Sequence, residues 1–345
     1  MTHKISIKRL GFFTRLLDDT NAAERYQLAL AQIQRAERCG FDSAWIAQHH
    51  FHEGEGGLPA PFVFLAQAAA RTERIRLGTG IVTLPLEMPL RVAEDAVVLD
   101  LMCDKRLEVG VGPGGNLTAF TAFGLDSKDR HKLMHGNLET MRTAWSGGEL
   151  AGGDRLYPSS PTLVDRIWQA TFSVEGARHA GLSGDGLMLS RTQPRPTDNP
   201  RASLAEIQNP MIDAYLEALP RGRAPRILAS RTVFVADDRK EALRLAEIGL
   251  DRFRHRLAAT GDLASGSLIG DLIAAMDIHV GTPDEVIASL QADATLARAT
   301  DMTVQSHSID PPHAHILRSI ELVAEKVGPA LGWAPERAVG ARQVA

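Results

Sequence analysis

Eight short apolar runs, most of them parted by stretches long enough for a helix, recur along the 345-residue chain. They are RLGFF (9–13), FDSAWIAQ (41–48), RIRLGTGIVTL (74–84), RLEVGVG (106–112), RIWQATF (166–172), DGLMLS (185–190), RILASRTVFVA (226–236) and MTVQSHSI (302–309). Parallel neighbours in a sheet must be joined by crossovers, and helices supply them. Eight such units close naturally into a (β/α)8 TIM barrel. The alternative is an open doubly wound sheet with a small second domain. The alternation reaches the C-terminus without a break in composition, which favours the barrel.

The intervening stretches carry helix signals. Residues 22–39 place Tyr26, Ala29, Leu30, Ile33 and Ala36 at helical spacing, and Gly40 ends the run. Further helices are predicted over 59–71, 89–103, 131–145, from 174, over 239–257 and over 315–327. The stretches 112–130, 147–165 and 258–282 read as insertions at the C-terminal rim. We expect one barrel domain over 1–330 and a flexible tail over 331–345.

Composition narrows the function classes. Lys plus Arg is 38 and Asp plus Glu is 42, a formal charge of −4, with 44% hydrophobic and 23% charged residues. No basic stripe points to nucleic acid, and charges interrupt every apolar run before the roughly 18 residues a membrane span needs. MTHKISIKRL lacks the apolar core of a secretory signal, and Cys39 and Cys103 are too few for a disulfide framework. The expectation is a reduced, cytoplasmic protein.

Several motifs could carry chemistry. Gln48-His49-His50-Phe51-His52 lies just past the second strand, where barrel enzymes gather catalytic side chains. An imidazole there could act as a base or donor. If strand geometry persists, His50 and His52 share a face and His49 points away. No carboxylate partner completes a zinc site around this cluster, so no metal is expected.

Gly110-Val111-Gly112-Pro113-Gly114-Gly115 matches G-x-G-x-x-G formally, but it follows the fourth strand and contains Pro113. A flexible turn and a backbone surface for a planar ligand stay open; a dinucleotide fingerprint is a poor fit. Gly78-Thr79-Gly80 is a bulge or a wall for a flat ring. Ser173-Val174-Glu175-Gly176 opens a helix, so Ser173 is either an ordinary N-cap or part of a phosphate site. Glu175 suits a phosphate only if its side chain turns outward. Arg191 and Arg231 could supply positive charge or form ion pairs. No G-x-S-x-G or Walker loop occurs, and Thr282-Pro283-Asp284-Glu285 reads as a helix start.

Four segments together resemble the bacterial luciferase-like family of flavin-dependent monooxygenases. They are WIAQHHF (45–51), the run from Arg71 to Gly114, TFSVEGARHAGLSGDGLML (171–189) and GTPDEV (281–286). The resemblance extends over about residues 9–327, and the 71–114 run is its most specific part. It implies a (β/α)8 barrel that binds reduced FMN, supplied by a separate reductase, and reacts it with O2 through a flavin C4a-peroxide. Some relatives use a deazaflavin for hydride transfer, and some barrels of this kind bind flavin without catalysis.

The family's Trp-x-x-Glu-His-His-Phe stands here as Trp45-Ile46-Ala47-Gln48-His49-His50-Phe51. By similarity His49 is the catalytic imidazole, with Gln48 in place of Glu. Thr79 and Gly80 match a backbone bulge against the flavin ring, often a non-proline cis peptide, and Ser173, Val174, Glu175 and Gly176 match a phosphate turn. Pro113 stands where the family often has Arg. Arg191 is the candidate replacement, and Asn116 completes the expected cofactor set. The resemblance also implies a homodimer and a small organic substrate, with the insertions 147–165 and 258–282 closing over the site as lids.

Overall fold

Side chains of the barrel strands alternate between two apolar surroundings, so each strand is buried on both faces. In β1 (Arg9–Thr14), Leu10 and Phe12 join the layer under the helices, while Gly11 and Phe13 face the interior. The computed structural model describes residues 8–259 and 267–333. Its other strands are β2 (Ser43–Ile46), β3 (Arg76–Thr79), β4 (Val82–Thr83), β5 (Leu107–Gly112), β6 (Ile167–Ala170), β7 (Gly186–Leu189), β8 (Ile227–Val235), β9 (Ile278–Gly281) and β10 (Asp301–Gln305).

All pairings among these strands are parallel. β3 and β4 form one stave broken at Gly80–Ile81, whose peptide is cis, and both halves pair with β5. Closure comes from β8. Leu228 to Thr232 pair with Asp301 to Gln305 of β10, which in turn pairs with β1. The far half of β8, Thr232 to Val235, pairs instead with β9, which lies outside the eight-stave barrel.

Helices fill the crossovers: α1 (Ala22–Arg38), α2 (Pro61–Ala69), α3 (Pro89–Met102), α4 (Leu117–Ala122), α5 (Arg130–Trp145), α6 (Val174–Leu182), α7 (Leu204–Ala218), α8 (Arg239–Ala259), α9 (Ile269–Ala275), α10 (Pro283–Gln291), α11 (Ala294–Arg298) and α12 (His313–Leu322). α1 follows its sequence signals. Asn21 caps the Glu24 amide, Ala29, Leu30, Ile33 and Ala36 are buried, and Gly40 turns the chain at φ 88°. Among the described residues no helix is long and apolar enough to cross a membrane. Cys39 and Cys103 are free thiols.

The insertions divide between the two ends of the barrel. Residues 147–165 join the end of α5 to the start of β6, and an αβ connection lies at the N-terminal face. Ser160 Oγ donates to Asp100 Oδ2 (2.6 Å), and Arg166 reaches the carbonyls of Lys105 and Leu107 at the entry to β5. This stretch is therefore not at the C-terminal rim and not a lid. The other two are at the rim: 112–130 leaves the C-terminal end of β5, and 258–282 begins at the end of α8. α8, α9 and β9 share a second apolar cluster around Phe234, Leu250 and Leu272, and Arg252 of α8 bonds Ser308 O beyond β10. Residues 260–266 within 258–282, and the expected tail from 334 on, lie outside the described residues. Within the expected tail 331–345, Trp333 is buried rather than frayed, with Lys8 Nζ 4.7 Å from its ring centre.

Two tryptophans fill the barrel interior. Trp45 of β2 and Trp168 of β6 meet edge to face, centroids 5.7 Å apart, with Met188 and Leu228 around them. Glycines make the room: a Cβ on Gly78 would overlap the Trp45 ring, and one on Gly186 the Trp168 ring. Below them Trp168 Nε1 donates to Glu108 Oε2 (2.7 Å), Arg76 pairs with the same carboxylate, and Arg9 pairs with Asp301 at 2.9 Å. Overpacking a filled core costs about 1–3 kcal/mol. Gly78→Ala should lose about that much in urea unfolding and alter the near-UV tryptophan circular dichroism, whereas Gly115→Ala, with open space around it, should leave the core signal unchanged.

Candidate active site

The loops beyond β1, β2 and β10 bring three side chains together that lie far apart in sequence. Arg15 follows β1 and donates from Nη2 to His49 Nε2 (3.0 Å) and to the Glu55 carbonyl (3.0 Å). A guanidinium has no acceptor, so His49 Nε2 must be unprotonated and the ring proton rests on Nδ1. Burial, then the charge of Arg15 and the nearby rings of His307 and His50, push the His49 pKa down to about 3. His49 is a neutral imidazole whose lone pair is engaged.

His307 lies beyond β10, and its peptide to Ser308 is cis. Its Nδ1 donates to Asp310 Oδ2 (2.7 Å), and its carbonyl accepts from Thr232 Oγ1 (2.6 Å). Burial pushes its pKa down to about 4 against the pull of Asp310. Asp310 also pairs with Arg252, and its carboxyl is held below the ordinary range by His307 and Arg252 despite burial. β2 ends at Ile46, so strand alternation does not continue into the histidines. His50 packs against Phe123 and Phe51, and His52 Nε2 lies 3.2 Å from Thr118 Oγ1.

The remaining predicted residues have definite places. Gln48 is buried as a three-way link. Its Nε2 donates to Pro59 O (3.0 Å) and Glu87 Oε1 (2.6 Å), and its Oε1 accepts from Thr83 N (2.7 Å). Thr79 Oγ1 bridges β3 to β5 by donating to Gly110 O (2.8 Å) and accepting from Gly110 N (2.9 Å), and Thr79 is fully buried, so contrary to expectation it offers a ligand no contact. Gly80 and Gly112 are crowded by Phe13 and Ile81 respectively. Those side chains make the close approach that the glycines permit. Asn116 caps α4, accepting from the Thr118 and Ala119 amides, and reaches Glu55 Oε2 at 3.2 Å. A helix therefore opens shortly after the glycine run, at Asn116 rather than Gly115, and it is only six residues long.

Ser173 is the N-cap of α6, its Oγ accepting from Gly176 N (3.1 Å), and Thr171 Oγ1 accepts from Ser173 N (3.1 Å). The amides of Val174 and Glu175 have no acceptor within the helix. Glu175 turns outward, 87% exposed, toward Arg178. This removes the electrostatic objection to an anion at the turn. Arg191, just past β7, donates to Thr232 Oγ1 (3.3 Å) and Ser308 Oγ (3.2 Å), which places its charge near His307. Arg231 is fully buried and paired with Asp293 at 2.5 Å, the ion-pair role rather than a site role.

Among the described residues no group of three or more His, Cys, Asp or Glu is arranged to hold a metal. Sequence reasoning missed Arg15, Thr232, Arg252, His307 and Asp310. The usable signal was position, since Arg15 directly follows a barrel strand. His307 was hidden inside a predicted strand over 302–309 that in fact ends at Gln305.

His49, His279 and His307 have pKa values pushed down to about 3, 4 and 4, chiefly by burial. Unfolded histidines titrate near 6.5, so the unfolded chain takes up protons first as the pH falls. Their contribution is present above about pH 6.5 and is lost toward pH 4, at most about 3 kcal/mol for each group shifted to about 4. Urea unfolding at pH 7.5, 6 and 5 should show falling stability, and His279→Asn should flatten the decline.

The family model described as luciferase-like monooxygenase matches residues 10–300. The 4-hydroxyprotoasukamycin monooxygenase of Streptomyces nodosus subsp. asukaensis is 28% identical over 339 residues, 90% of this chain and 91% of that protein. Two solved structures share the fold. The oxygenating constituent of 3,6-diketocamphane monooxygenase from Pseudomonas putida, in complex with FMN, aligns at TM-score 0.72 and 20% identity, covering 94% of this chain and 98% of its own. The coenzyme F420-dependent tetrahydromethanopterin reductase of Methanopyrus kandleri aligns at 0.67 and 19%, covering 94% and 100%. With the match spanning the barrel from β1 to the entry of β10, the chain belongs to the luciferase-like monooxygenase family.

Proposed function

We propose that the C-terminal mouth of the barrel binds reduced FMN and that the enzyme oxidises a small organic substrate with O2. The observation that carries this is the pairing, on one rim, of an anion-ready helix start at Ser173 with a neutral imidazole at His49. The Ser173 hydroxyl and the free amides of Val174 and Glu175 would hold the phosphate, with Gly176 close against Thr171. Arg191 adds positive charge from the end of β7. The backbone of Gly80 and Ile81 would face the ring, and Asn116 pins the β5 loop to Glu55. Bound there, reduced FMN supplies the electrons that activate O2.

This chain's own residues orient and shield that chemistry. Phe13, Ile81, Ala170 and Met188 form an apolar wall over the tryptophans, which keeps water from the reacting atoms. His49 exchanges a proton with the substrate once its Nε2 is released. A separate reductase would supply the reduced flavin. A homodimer is supported by one exposed apolar stripe, Val98, Leu101 and Met102 of α3, with Val63 on the neighbouring α2. The second reading is deazaflavin-dependent hydride transfer, favoured by the shared fold of the F420-dependent reductase.

Titration with oxidised and reduced FMN and with the deazaflavin, followed by fluorescence, tests the two readings. Tighter binding of reduced FMN supports the monooxygenase; preference for the deazaflavin overturns it. Ser173→Ala should weaken FMN about tenfold, from loss of a phosphate hydrogen bond, and riboflavin hardly at all. Equal losses would remove the phosphate contact. His49→Ala should leave FMN bound but lower substrate-coupled turnover by about 10²–10⁴; unchanged coupled turnover would contradict the assigned role.

A further inference from the structure

Among the described residues Arg15 is a buried cation without a carboxylate of its own. Its Nη2 bonds go to an imidazole and a backbone carbonyl, and its fully buried Nε has no partner. Burial pushes its pKa down, an effect the more distant Asp310 and Glu55 only partly offset. The neighbouring carboxylates are engaged elsewhere. Asp310 is held by His307 and Arg252. Asp18 is held by Gln32 (3.0 Å) and lies 3.6 Å from His313. Glu55 accepts from Asn116. A buried guanidinium left this way is costly unless a ligand completes it.

Room for one ligand oxygen is present. Arg15 lines a small solvent-open cleft of about 20 Å³, the size of a single water, between the β1 and β10 loops, together with Phe13, Gln305, Ser306 and His307. Gln305 Oε1 on the same wall is also buried without a partner, while its Nε2 meets Ser230 Oγ at 2.9 Å. A serine hydroxyl can donate or accept, so the amide can turn and offer Nε2 to an anion. Asp18 and Asp310 also line the cleft, Asp310 held by His307 and Arg252, which confines an anion to the Arg15 end. Arg191 and Arg252 add positive charge behind His307.

We propose that Arg15 receives an anionic oxygen of the substrate, a carboxylate or an acidic enolate or phenolate, and in turning onto it releases Nε2 of His49. This rests on the reading of the mouth as the flavin and substrate site. The consequence is an ordered event. Before substrate arrives, His49 is neutral, hydrogen-bonded and a poor base. An anion on Arg15 cancels the nearest charge that depresses its pKa and frees its lone pair, so basicity rises only in the loaded site.

The test uses full-length protein, with and without saturating oxidised FMN, and three matched probes: benzoate against benzamide, decanoate against decanamide, and salicylate against salicylamide. Calorimetry should give at least a tenfold preference for the anion in one pair or more. Arg15→Gln should abolish that preference and Arg15→Lys should retain most of it, each variant with a wild-type circular dichroism spectrum. With 15N-histidine labelling and His49→Gln for assignment, the bound anion should raise the His49 pKa in wild type and not in Arg15→Gln. Absence of anion preference in all three pairs, or its persistence in Arg15→Gln, overturns the proposal. So does loss of preference for reduced over oxidised FMN in Arg15→Gln without any effect on the organic anions, which would make the flavin ring the anion. FMN affinity is read separately, so failure of flavin binding and failure of the Arg15 assignment are distinguishable.

Discussion

The pairing of β8 with β10 turns a sheet into a barrel, and the site depends on that closure. Leu228 to Thr232 take up Asp301 to Gln305 in parallel, so the last strand returns beside the first. Parallel closure sends the C-terminal ends of all eight staves to one face. Arg15, His49, Gly80, Gly112, Ser173, Arg191 and His307 all lie at or just beyond such ends. β8 is long enough to do more. Its last residues leave β10 and pair with β9, which carries the α8–α9 insertion up to the rim and brings Arg252 to Asp310. One nine-residue strand therefore closes the barrel and builds part of the wall of its mouth.

The interior imposes a second constraint. Two indoles in the centre of an eight-stave barrel leave no space for side chains at Gly78 and Gly186. Their edge-to-face contact, together with Met188 and Leu228, makes a dry floor. The charges Arg9, Arg76, Glu108 and Asp301 lie below this floor and are paired with one another. The histidines and arginines of the mouth lie above it. Burial keeps His49 neutral, and it keeps His307 neutral even against Asp310 at 2.7 Å, which suits proton exchange better than permanent charge does.

The barrel was legible because each of its strands is an apolar run and the runs count to eight. Every predicted run overlaps a barrel stave, including the third, whose interruption at Gly78–Gly80 anticipates the split into β3 and β4. β9 was not legible: HVG after an irregular stretch is too short to show a period. α7 was masked by Pro210 inside the helix, which breaks the expected pattern. The placement of 147–165 at the rim failed because composition marks a loop but not the end of the barrel to which it belongs; only its position between α5 and β6 decides that. Of the site, His49 and the Ser173 turn could be found because their segments are local in sequence. Arg15, Thr232, His307 and Asp310 could not, since what defines them is mutual approach across the closure between β8, β10 and β1.

Gln48 shows how a departure from the family pattern can leave the neighbouring imidazole in place. Its amide donates to Glu87 at 2.6 Å and to Pro59 O, and accepts from Thr83 N. A glutamate at 48 would set two carboxylates against each other in a buried position, where one would have to hold a proton. The Glu87 carboxyl is already pushed up by burial, and the Gln48 hydrogen bond counters this. The amide therefore satisfies an acid, a carbonyl and a backbone amide at once, without adding charge. It ties the end of β2 to β4 and to the segment before α2. His49, the next residue, is fixed from the other side by its own amide on Leu58 O (3.0 Å) and by Arg15 on its ring. Gln at 48 thus avoids a second carboxyl beside Glu87 while keeping the hydrogen bonds that aim the imidazole, and Arg15 is the charged group in direct contact with the ring, lowering its pKa after burial.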